Sequence, residues 1–102
     1  MNPIDQVVAR IVAAVQPLRI ILFGSAARGS AGPDSDVDVL VVMPEGTPRR
    51  KTAQHLQRVL SGVPAAVDIL VTTPAALAAH RDNIGLIYRT ILREGKELYA
   101  AA

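Results

Sequence analysis

Two short apolar runs, residues 18–23 and 37–43, constrain this chain more than any other feature in it. The first, Leu18-Arg19-Ile20-Ile21-Leu22-Phe23, is bounded by Pro17 and Gly24; the second, Val37-Asp38-Val39-Leu40-Val41-Val42-Met43, ends at Pro44-Glu45-Gly46. Runs of this length, rich in β-branched residues and closed by turn formers, read as buried strands. Side chains alternate along a strand, so Val37, Val39 and Val41 share one face while Asp36, Asp38 and Leu40 share the other. Two carboxylates therefore stand side by side where the second strand begins. At about 4 Å they repel by roughly 1–4 kcal/mol, depending on the effective dielectric. A solvated strand end or salt bridges to Arg19 or Arg28 would offset that cost, and a divalent cation does so most simply. A third acid, Asp68, lies inside the apolar run Val67-Asp68-Ile69-Leu70-Val71. If that run pairs beside the second strand, Asp68 closes a three-carboxylate cluster. Oxygen-only clusters of this kind suit Mg2+ or Mn2+.

The remaining elements follow from capping and periodicity. Asn2-Pro3-Ile4-Asp5 carries an N-cap, a proline at the first helical position and an acid at the positive end of the helix. Ile4, Val7, Val8, Ile11, Val12 and Val15 recur at helical spacing, and Pro17 stops the run. A second helix is expected over about 47–60, with Leu56, Val59 and Leu60 as its apolar side and Gly62 and Pro64 beyond it. The third strand covers 66–71. Thr73-Pro74 caps a further helix, interrupted near Gly85, continuing to Arg93 and closed by Glu94-Gly95, after which Lys96 to Tyr99 forms a short edge strand. The expectation is a single domain over residues 1–102, of α/β (α+β) class, with a small mixed sheet of three or four strands flanked by helices.

Composition narrows the functional classes. Half of the 102 residues are hydrophobic, enough for one packed core. No cysteine is present, which excludes disulfides and thiolate metal sites. No apolar run approaches the length of a membrane span, and no export signal precedes Asp5, so a cytoplasmic protein is expected. A formal charge of +2 and only three aromatics, Phe23, Tyr88 and Tyr99, argue against direct nucleic-acid binding. Arg49-Arg50-Lys51 is the one basic cluster and reads as a solvated helix start, with contact to a partner or to phosphates as the alternative. His55 and His80 read as surface residues.

Gly24 and Ser25 follow the first strand. Glycine allows the close backbone approach that phosphate oxygens need, Ser25 adds a hydroxyl donor, and Arg28 adds a cation. Two familiar motifs fail here. The glycine spacing from Gly24 to Gly29 is that of a P-loop, but Ser30-Ala31 stands where Lys-Ser/Thr is required. Asp34, Asp36, Asp38 and Glu45 match calcium-loop positions of an EF-hand, but Val39 replaces its glycine.

Gly24-Ser25, ten residues, then Asp36-x-Asp38, set in Phe-Gly-Ser-Ala-Ala-Arg-Gly-Ser and Ser-Asp-Val-Asp-Val-Leu-Val, resembles the minimal (MNT-type) nucleotidyltransferases of the DNA polymerase β-like superfamily. The resemblance extends to Asp68 and to the ending Ile91-Leu92-Arg93-Glu94-Gly95-Lys96-Glu97-Leu98-Tyr99. It implies the polymerase β-like fold and a metal-dependent transfer of a nucleotide monophosphate, AMP from ATP, to an acceptor hydroxyl. Asp36 and Asp38 would hold two Mg2+ ions, Asp68 would activate the attacking hydroxyl, and Gly24, Ser25 and Arg28 would bind the triphosphate. Minimal members commonly pair with a helical HEPN-type toxin and act as its antitoxin, and a tyrosine of the toxin is the acceptor the resemblance implies. The alternative is a non-catalytic ATP-binding module that neutralises its partner by occlusion.

Overall fold

The computed structural model describes residues 2–24, 36–80, 91 and 93–101. The chain opens with α1 (Pro3–Val15). Asn2 caps it as expected, its Oδ1 accepting from the Asp5 N–H at 2.9 Å. Gln16 ends it in the left-handed region at φ 49°. Its N–H donates to the Val12 carbonyl at 3.1 Å, which satisfies one of the helix's terminal acceptors before Pro17.

Four strands follow: β1 (Arg19–Phe23), β2 (Val37–Val42), β3 (Val67–Thr72) and β4 (Lys96–Ala100). They form one mixed sheet in the order β3-β2-β1-β4. β1 runs antiparallel to both β2 and β4, whereas β2 and β3 are parallel. A parallel pair needs a crossover, which α2 (Arg49–Val59) supplies. After β3, Thr73 Oγ1 accepts from the Ala76 N–H at 3.3 Å and opens α3 (Pro74–His80). Glu45, in the turn after β2, adds a second cap by accepting from the Ala75 N–H at 2.7 Å.

The alternation read from the sequence sorts the core into two layers. Val37, Val39 and Val41 pack with Ile20 and Leu22 against Val7 and Ile11 of α1 and Leu56 of α2. On the opposite face, Ile21, Leu40 and Val42 pack with Leu77 of α3 and Ile91. The sheet is thus covered on both sides, and the strand after Gly95 is the edge strand that was expected. The third strand begins and ends one residue later than the sequence reading. The predicted interruption of the last helix at Gly85 lies outside the described residues, although Ile91, Arg93 and Glu94 are helical. Immediately after them, a Cβ on Gly95 would collide with the Ile91 carbonyl and the Ile21 side chain, so only glycine lets the chain pass this close to β1.

Candidate active site

The site is built by register. The Val37 N–H donates to the Ala66 carbonyl at 2.8 Å, joining the start of β2 to the start of β3. From there the two strands run in step, and Asp38 stands directly opposite Asp68. Neighbouring strands lie about 4.8 Å apart and opposed side chains share a face, so the two carboxylates are brought together at the same end of the sheet. This pairing is the one the sequence required before Asp68 could join the acidic pair. On the other side of β2, Asp38 is opposite Phe23, which carries Gly24 to the same end.

Gly24 has φ +73°, and a Cβ placed there would overlap Oδ2 of Asp38. Two independent constraints thus select glycine: the left-handed backbone and the space taken by the carboxylate. The sequence reading gave Gly24 a role toward phosphate and missed its contact with Asp38. The signal available in the sequence was its place one residue after the strand, at the end where β2 begins.

Asp38 is half-buried, whereas Asp36 and Asp68 are exposed. Partial burial pushes the Asp38 carboxyl above the usual carboxylate range. The neighbouring charge of Asp68, a hydrogen bond between the two side chains and the charge of Asp36 push it further the same way. Among the described residues no three Asp, Glu, His or Cys side chains converge tightly enough to form a ready-made metal cage. The arrangement is a close pair, Asp38 with Asp68, and Asp36 acting on Asp38 from just outside the strand. Ser25 and Arg28 lie outside the described residues.

This donor set fits a hard divalent cation. Its ligands are carboxylate oxygens, its central member resists ionisation because of partial burial and then its negative neighbours, and the missing side chain at position 24 leaves the carboxylate its room. His55 does not belong to it, being exposed on α2. Arg19, a conceivable partner for Asp36 or Asp38, instead pairs with Glu97 of β4, its Nε 2.7 Å from Oε1.

Comparison with known proteins gives this geometry its family. The family described as nucleotidyltransferase domain matches residues 4–97. MJ0141 of Methanocaldococcus jannaschii, provisionally named a protein adenylyltransferase, is 43 % identical over 54 residues, which are 53 % of this chain and 54 % of that protein. The chain thus spans about half the length of this curated relative. Among solved structures, a toxin–antitoxin protein crystallised with AMP-PNP superposes with a TM-score of 0.72 at 21 % identity, covering 99 % of this chain and 75 % of the other. A structure provisionally described as a minimal nucleotidyltransferase superposes with a TM-score of 0.61 at 27 % identity, covering 94 % and 95 % of the two chains. The mixed α/β fold is that of these structures, and no helix among the described residues is long and apolar enough to cross a membrane. With a family match over almost its whole length and paired carboxylates at one end of its sheet, the chain belongs to the nucleotidyltransferase domain family.

Proposed function

We propose that this protein transfers AMP from ATP to a hydroxyl group of a partner protein, and that it does so in the cytoplasm as the antitoxin of a toxin–antitoxin pair. The observation that carries the reading is the Asp38–Asp68 register beside Gly24, in a chain matched to nucleotidyltransferases from residue 4 to 97. Asp36 and Asp38 are the residues that would hold Mg2+, and the bound ions would supply the positive charge that a triphosphate and its departing pyrophosphate require. Asp68 sits on the edge strand, exposed, where an acceptor can reach it. It takes the proton as the acceptor oxygen attacks the α-phosphorus. The bond from that phosphorus to the bridging oxygen breaks, and pyrophosphate leaves with the electron pair. Gly24, with Ser25 and Arg28 after it, binds the triphosphate.

The relatives support the substrate and the partner. One is named for protein adenylylation, and the structure neighbour with AMP-PNP is a toxin–antitoxin protein. The acceptor, a tyrosine on a HEPN-type toxin in this proposal, rests on the resemblance to minimal nucleotidyltransferases. ATP labelled at the α- or the γ-phosphate, supplied with Mg2+ to lysate containing the partner, tests this directly. A protein band labelled only from the α-position, and lost in Asp38→Asn, is the expected result. Absence of any α-labelled band with the partner demonstrably bound would leave neutralisation by occlusion.

A further inference from the structure

The helix that links the parallel strands carries a charge pattern that the catalytic reading does not use. Between Glu45 and Asp68 there is no acidic residue, while Arg49, Arg50, Lys51 and Arg58 are all in α2. Four of the chain's eleven cations and none of its nine acids thus fall in this segment, and the remainder of the chain is net acidic. Folding does not call for this placement. Three cations occupy the first turn, at the positive end of the helix dipole, where cations destabilise. No acid is in that turn, and Pro48 at the N-cap gives no side-chain hydrogen bond to the terminal N–H groups. Among the described residues no carboxylate pairs with any of these cations, the ion pair there being Arg19 with Glu97.

The cations are also arranged. Leu56 is buried and Ala53 packs against the core, which turns Arg50, Gln54 and Arg58 outward, all three exposed. Spaced four residues apart, they form a row about 12 Å long down one side of the helix. Lys51 and His55, also exposed, stand beside that row. The row lies on the side of the sheet covered by α1 and α2, whereas Asp38 is on the other face with Leu40, so an occupant of α2 leaves the carboxylates open.

We infer that the outer face of α2 is a docking surface for an acidic helix of a partner protein, whose carboxylates at four-residue spacing match the Arg50–Gln54–Arg58 row. Charge complementarity and matched spacing give the contact its direction, and Gln54 supplies a neutral hydrogen-bonding group between the two arginines. RNA is the less favoured occupant because α2 offers no Phe, Tyr or Trp as a stacking platform, His55 being its one ring. This inference does not rest on the nucleotidyl-transfer reading.

The test is fluorescence anisotropy with the full chain and three labelled probes: a helical peptide with glutamate at every fourth position, its glutamine counterpart, and single-stranded RNA of equal charge. The glutamate peptide is expected to bind most tightly, weakening as NaCl is raised. Arg50→Glu combined with Arg58→Glu is expected to weaken it by at least about tenfold. Circular dichroism confirms that the variant is folded, and Arg50→Gln with Arg58→Gln is the milder second variant, expected to shift binding the same way. Equal binding of the two peptides, tighter binding of RNA, or binding unmoved in both folded variants would overturn the inference.

Discussion

The second rung of the β2–β3 ladder and its last two make an instructive comparison. At the last two, Val41 faces Val71 and Val42 faces Thr72, and all four side chains are buried. Two rungs into the same ladder from the other end, Asp38 faces Asp68, one half-buried and the other exposed. Register, strand direction and backbone hydrogen bonding are shared, so the contrast lies in the side chains alone. Each buried valine contributes about 1.5–3 kcal/mol by leaving water. The carboxylate pair opposes the fold instead, as the raised pKa of Asp38 records. The apolar end fixes the register, and a fixed register is what holds two like charges opposite one another. A ladder free to slip would separate them.

Substitutions can break this contrast at either end. Leu40, fully buried and two residues beyond Asp38 on the same face, belongs to the stabilising part. Leu40→Ala is expected to lower stability by about 2–5 kcal/mol, read from urea unfolding, through lost burial and the cavity left behind. Gly24→Ala acts on the acidic end. Alanine at this positive φ costs about 1–2 kcal/mol, and the new methyl group must displace the Asp38 carboxylate. That displacement is expected to lower AMP transfer by about 100-fold while the protein stays folded by circular dichroism. Transfer at the wild-type rate would mean that the Asp38 position seen here is not the one used.

The two ends were not equally legible in the sequence. Val37, Val39 and Val41 announced a buried face by alternation, and Asn2 with Pro3 announced a helix start by chemistry, because both signals are local. Asp68 could be flagged as an acid out of place, but its alignment with Asp38 depends on a parallel pairing across a crossover of more than twenty residues. Nothing local encodes that register. Gly24 was noticed for its backbone freedom, while its second constraint, the carboxylate beside it, became visible only when β1 and β2 were laid together. Gly95 is similar: a helix terminator by sequence, and also the point where the chain squeezes past Ile21. Arg19 is near enough in sequence to serve the acidic pair, and its pairing with Glu97 instead follows from β4 lying along the far side of β1.

If the acidic end is held against the fold in order to receive a cation, its cost must be measurable in the protein's own stability. A carboxyl whose folded pKa lies above its unfolded value binds more protons in the fold, so stability falls as pH rises through that interval and stays low above it. At pH 7, therefore, metal-free Asp38→Asn is expected to melt slightly above the wild type, by about 0.5–1 kcal/mol in stability. The decisive measurement is the melting temperature of both proteins with and without Mg2+. The account predicts that Mg2+ raises the wild type and closes or reverses the gap, while Asp38→Asn responds little. A wild type that melts higher without metal, or two proteins that respond to Mg2+ alike, would contradict it.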